Sequence, residues 1–146
     1  MNRVRATVAA SLIALAGAAR AACTISTASG PSFGAYDVLS PAPLDSAGSL
    51  SYRCTGGSRP TVQLSTGSSG TYSARTLRSG ASSLQYNLYL DAARTSVWGD
   101  GSAGTSTSAP RRGGGTRTLS IYGRIPARQD PAVGSHSDSI VVTFVF

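Results

Sequence analysis

The sequence predicts an all-β chain, an antiparallel sandwich of the immunoglobulin-like class. Three observations carry that prediction. Beyond residue 21, strand-like runs recur about every ten to fifteen residues, with Gly, Ser and Pro between them. Within the runs apolar and polar residues alternate with period two, which gives each strand one face for a core and one for water. No helical periodicity appears after the N-terminal stretch. Seven or so short strands in about 125 residues is the count of one small sandwich.

The elements justify this in chain order. MNRVR is a short basic segment, ATVAASLIALAGA an apolar run too short to span a bilayer, and ARA at 19–21 a small-x-small cleavage site. Together they predict a secretory signal peptide over residues 1–21 and one mature domain over 22–146. No later segment is long and apolar enough to cross a membrane. Export places Cys23 and Cys54 in an oxidising compartment, and two is an even number, so a disulfide is expected. Closing a loop of about thirty residues should contribute roughly 3–4 kcal/mol.

SLSYRC puts Leu50, Tyr52 and Cys54 on one face, and TVQLS does the same for Val62 and Leu64. SLQYNLYLD alternates best, with Leu84, Tyr86, Leu88 and Leu90 opposite Gln85, Asn87 and Tyr89. TLSIYGRI follows with Leu119, Ile121 and Ile125 in phase. In the last run, SIVVTFVF, Ile140, Val142, Phe144 and Phe146 share a face, and Val141, Thr143 and Val145 take the other. Pro41 and Pro43, STGSSG with Gly67 and Gly70, and GDGSAG at 99–104 supply turn chemistry. SAPRRGGGTR, 108–117, is expected to be a mobile loop between strands of the same domain.

Chemistry is sparse. Every basic residue is Arg and every acidic one Asp. Arg3, Arg5 and Arg20 fall in the leader, so residues 22–146 carry ten Arg against six Asp, a net +4. That mild charge gives no reason to expect nucleic acid as a partner. His136 sits among Ser135, Ser137 and Asp138, but neighbours on a strand point to alternate faces and cannot form a triad by themselves. Asp91 and Asp100 lie in turn contexts where Asp bonds backbone. The DGS stretch lacks the ligands of a calcium loop, and no Gly-rich phosphate loop joins a strand to a helix. Arg111, Arg112 and Arg117 read as a solvated loop. Trp98, the one tryptophan, reads as core packing before sugar platform. The expectation is therefore a non-enzyme without metal or cofactor.

Four longer blocks carry a resemblance: FGAYDVLSPAPLDSAGSLSYRC at 33–54, YNLYLDAARTSVWGDG at 86–101, YGRIPA at 122–127 and SHSDSIVVTF at 135–144. They resemble the spore coat protein U domain, a family that includes subunits of archaic, Csu-type chaperone–usher pili. The likeness extends over nearly all of Cys23–Phe146. It implies an incomplete immunoglobulin-like fold that lacks its last strand. It also implies three partners: a periplasmic chaperone that lends a strand, an outer-membrane usher, and a neighbouring subunit whose N-terminal segment replaces that strand. The two cysteines match the first and second of the family. Arg128 departs from it, standing where glycine is expected, and only Ala22 precedes Cys23 after cleavage.

From this resemblance the chain is expected to be a pilus subunit or adhesin, exported through the periplasm to the cell surface. The short N-terminus points to a distal place, tip or cap, able to accept a strand but not to give one. Ile140, Val142, Phe144 and Phe146 would then line an apolar donor-strand groove. The alternatives are a secreted coat or surface protein outside any pilus, and a carbohydrate-binding module.

Overall fold

A computed structural model describes residues 22–111 and 114–146. The expected leader, Arg112 and Gly113 lie outside the described residues. Among the described residues the fold is all-β, with seven strands: β1 (Cys23–Ser29), β2 (Leu44–Cys54), β3 (Thr61–Leu64), β4 (Arg75–Ser79), β5 (Ser82–Tyr89), β6 (Thr116–Ile125) and β7 (Val142–Val145). A five-stranded antiparallel sheet runs β1-β2-β6-β5-β4, and β3 pairs with β7 in a second sheet. The segment between β5 and β6 joins the two layers. Trp98 N–H donates to Leu88 O (2.9 Å), Leu64 N–H to Gly99 O (3.2 Å) and Ser108 N–H to Val62 O (3.1 Å).

The alternation read from the sequence is the core. Leu50, Tyr52 and Cys54 from β2, Val62 and Leu64 from β3, and Leu84, Tyr86 and Leu88 from β5 are all buried, with Ile121 and Ile125 from β6. Each such large apolar side chain contributes roughly 1.5–3 kcal/mol when removed from water. Cys23 and Cys54 face each other across β1 and β2 and are joined by the disulfide.

Two glycines allow a crossing that alternation alone does not show. After β1 the chain passes over the inner face of β2 and β6. A Cβ at Gly48 would collide with the backbone of Ser29 and Gly30, and one at Gly123 would stand 2.6 Å from the Phe33 ring. With hydrogen in their place, Phe33 reaches the core and meets Tyr86 edge-on at 6.2 Å. Arg128 takes the left-handed conformation, φ 61°, that a glycine would adopt freely. The turn is kept, at a cost of about 1 kcal/mol.

Two strands were not singled out in the sequence. β1, CTISTAS, has one strong apolar residue, and β4, RTLRS, is mostly polar. Pairing with β2 and β5 makes them strands, not their own propensity.

Candidate functional site

Among the described residues four strands end a sheet; β3 is also bonded by the 99–108 segment and β4 by Ser137, which leaves β1 and β7 without a second partner. β1 pairs only with β2, and β7 pairs only with β3. The segment leading into β7 is fixed on the side of β3 and β4. Ser65 N–H donates to Val141 O (3.0 Å), Val141 N–H to Ser65 Oγ (2.9 Å), and Arg78 and Ser137 exchange backbone bonds of 2.8 and 3.0 Å. Its other side faces β1 across a slot.

A cavity of about 260 Å³ opens in that slot, walled by Ala28 and Pro31 on one side and Ile140 and Val142 on the other, with Leu50 and Ile121 at its floor. It continues past Phe33 and Leu77 into a wider cavity of about 650 Å³ between the 31–38 and 131–138 segments. Ile140, Val142 and Phe144 pack against the core but stay half-buried, and the Phe144 ring lies 5.0 Å from that of Tyr52. Phe146 stands beyond the last paired residue and is 62% exposed. From β1, Ile25 sits opposite Tyr52 and is 45% exposed. The bulge after Ile25 brings Ala28 opposite Leu50 on the same inner face. The inner residues of both edges are thus apolar and only partly covered.

Asp138 holds the start of this C-terminal segment. Its carboxylate accepts from Tyr86 Oη (2.8 Å), Ser68 N–H (2.9 Å) and Ser139 N–H (2.9 Å). Burial, with the bond to Asp138, pushes the Tyr86 phenol well above its ordinary value. The phenol therefore stays a donor throughout ordinary pH. His136 serves the same segment. Its Nε2 lies 3.1 Å from Ser82 Oγ, which also accepts from Ala132 N–H (2.9 Å). Ser135, Ser137 and Asp138 do not converge on the ring, and Nδ1 faces the Gly134 carbonyl (3.2 Å).

Behind β3 and β4 lies a polar network that sequence reasoning missed. Arg75 is wholly buried. Its guanidinium donates to Ser65 O (3.0 and 2.8 Å), Asn87 Oδ1 (2.7 Å) and Trp98 O (2.6 Å), and lies 5.2 Å from the Tyr72 ring centroid. Burial pulls its pKa down, yet an arginine keeps its proton at any ordinary pH. Four hydrogen bonds to three acceptor oxygens, with a ring, stand in for a counter-ion. The network closes the 65–75 crossover, so that β3 and β4 follow one another along the same C-terminal segment. No local signal separates this arginine from the exposed ones.

The remaining candidates are structural. Trp98 is fully buried and donates Nε1–H to Val62 O (2.9 Å), so it offers no face to a sugar. Asp91 accepts from Thr95 and Ser96, and Asp100 from Ser102, each closing its own turn. Among the described residues no cluster of ligating side chains could hold a metal, and no helix is long and apolar enough to cross a membrane.

Comparison with known proteins agrees with this architecture. The sequence model of the Spore Coat Protein U domain matches residues 7–143, a match that begins inside the expected leader. Protein U of Myxococcus xanthus is 32% identical over 145 residues, which span 86% of this chain and 78% of that protein. Among solved structures, one chain of a chaperone–tip adhesion subunit pre-assembly complex, CsuC–CsuE, from the archaic chaperone–usher Csu pili of Acinetobacter baumannii has a similar fold. It superposes with a TM-score of 0.60 at 22% identity, over 87% of this chain and 40% of the matched one. The all-β, two-layered, open-edged molecule described above, matched along nearly its whole length, belongs to the spore coat protein U domain family.

Proposed function

We propose that this chain is a structural subunit of a chaperone–usher pilus or a related surface structure, and that it accepts an extended strand from a partner. One observation carries the proposal: two unpaired strand edges, β1 and β7, flank an open apolar slot. Such edges are pairing templates and an aggregation hazard unless covered. A strand laid between them would complete the sandwich, its main chain giving affinity and its alternate side chains register. In the family resemblance that strand comes first from a periplasmic chaperone and then, at an outer-membrane usher, from a neighbouring subunit. Ile140, Val142, Phe144, Phe146 and Ile25 would contact it. The protein would pass through the periplasm to the cell surface and act there by assembly or adhesion, not by catalysis. A distal place in the structure depends on the mature chain starting at Ala22, which N-terminal sequencing of the exported protein decides.

The test is a fusion. An alternating apolar strand is attached after Phe146 through a flexible linker. With the slot filled, the fused protein should be monomeric and should melt well above the parent; each newly covered large side chain adds roughly 1 kcal/mol or more. Equal melting temperatures and equal solubility would mean that the sandwich is already complete.

A further inference from the structure

The row of inward residues that forms one wall of the slot changes chemistry along its length. Counted back from the C-terminus, Phe144, Val142, Ile140, Asp138 and His136 are all half-buried, and Val145, Thr143, Val141, Ser139 and Ser137 are exposed. That is one continuous period-two phase. The β3–β7 ladder fixes it only as far as Val142, which pairs with Leu64. Ile140 lines the slot but lies beyond the ladder. The next inward residue is Asp138, which borders both the slot and the wider cavity. Its carboxylate is seated from three directions. Oδ1 accepts from Ser68 N–H (2.9 Å) and Ser139 N–H (2.9 Å), and Oδ2 from Tyr86 Oη (2.8 Å). Ser68 belongs to the short turn Gly67–Ser69, and its hydroxyl donates to Thr76 O of β4 (3.0 Å). Gly67 leaves the room, since a Cβ there would overlap the Asp138 carboxylate. Tyr86 lines the slot together with Phe33, whose ring meets it edge-on.

We propose that Asp138 is the positioning residue of the strand-accepting slot, an inference that rests on the function proposed above. It acts through two neighbours. It holds Ile140 in phase at the wall, where no ladder bond does so, and it holds the Tyr86 phenol in place beside Phe33. A carboxylate suits this task because its two oxygens only accept, so it serves three donors at once. Without the clamp, a slip of one residue would turn Ile140 and Val142 out of the slot and bring Ser139 and Val141 into it. The alternate side chains of an incoming strand would then meet the wrong wall. Asp138 thus sets the register in which a strand is received, beyond whatever it contributes to the fold.

The test compares thermal melts of the exported protein and of its strand-fused form, each with and without Asp138→Ala. A residue that only stabilises the fold costs the same in both. A positioning residue costs more where a strand is docked, so Asp138→Ala should lower the melting temperature of the fused protein by about twice the loss in the parent, or more. Tyr86→Phe removes only the phenol bond and should show the same inequality at smaller size. It decides the matter if Asp138→Ala keeps either chain from folding. Asp100→Asn, in a turn that lines neither cavity, is the control and should cost the same in both forms. Equal losses for the Asp138 and Tyr86 variants in the two forms, with the fusion itself stabilising, overturn this inference alone. A fusion that leaves the melting temperature of the unsubstituted protein unchanged overturns the strand-accepting reading and this inference with it.

Discussion

β5 and β7 carry the same period-two pattern and meet different fates. In β5, Leu84, Tyr86 and Leu88 are 4, 5 and 3% exposed. In β7 and its approach, Ile140, Val142 and Phe144 remain half-buried. Nothing in the local pattern separates the two strands. β5 is paired on both sides and has the second layer over it, whereas β7 has a partner on one side and a slot on the other. Burial is a property of neighbours, and among the described residues β7 has one strand neighbour where β5 has two.

Paired truncations measure that difference. Leu88→Ala should destabilise the chain by about 2–5 kcal/mol, as for a closed core position. Phe144→Ala should cost only about 1 kcal/mol in the free chain and about 3 kcal/mol in the strand-fused protein. Denaturant titration of the four proteins checks this, and equal costs for Phe144 in both contexts would break the comparison.

The wall formed by β1 depends on its clasp. Its residues after Cys23 are exposed, so the disulfide and the β2 ladder hold it. Cys23→Ser with Cys54→Ser should cost about 3 kcal/mol by the chain-entropy account. Amide exchange should rise first in β1 and leave β5 and β6 protected, an outcome that uniform exchange would contradict.

A smaller effect is expected from Asp45. The hydrogen bonds from Arg124 hold its carboxyl below the usual carboxylate value, and the nearby charge of Arg94, 3.3 Å away, adds to this. Its contribution is therefore present above the unfolded value of about 3.9 and is lost as pH falls through the lowered folded one. Since the side chain is 35% exposed, solvent screening keeps the contribution below about 1 kcal/mol. Asp45→Asn should flatten the stability profile between pH 5 and the acid limit by roughly that amount. The smallest effect is at Arg128. Replacing it with Gly should raise stability by a few tenths of a kcal/mol, up to about 1, since relief of the left-handed strain is partly offset by unfolded-state entropy. Thermal melts resolve this.

Much of the fold was legible because alternation is a local signal. The buried hydrophobic residues of β2, β3, β5 and β6 were legible in the phase in which they pack, whereas Asn87, expected on the opposite face of β5, is buried as well, against Arg75. The Cys23–Cys54 bridge agrees with the expectation drawn from a leader-like N-terminus and an even count. The turn roles of Asp91 and Asp100 were local too, since each bonds residues within five positions. β1 and β4 were not legible, because their strand character comes from partners far along the chain. The same holds for Arg75, whose burial needs Ser65, Asn87 and Trp98 to arrive from three elements at once. Sequence set which face of each strand was apolar, a matter of neighbouring residues. Tertiary structure alone decided which of those faces found a cover, because pairing and burial join residues that the chain holds far apart. That is why two similar strands, β5 and β7, end as a closed core and an open edge.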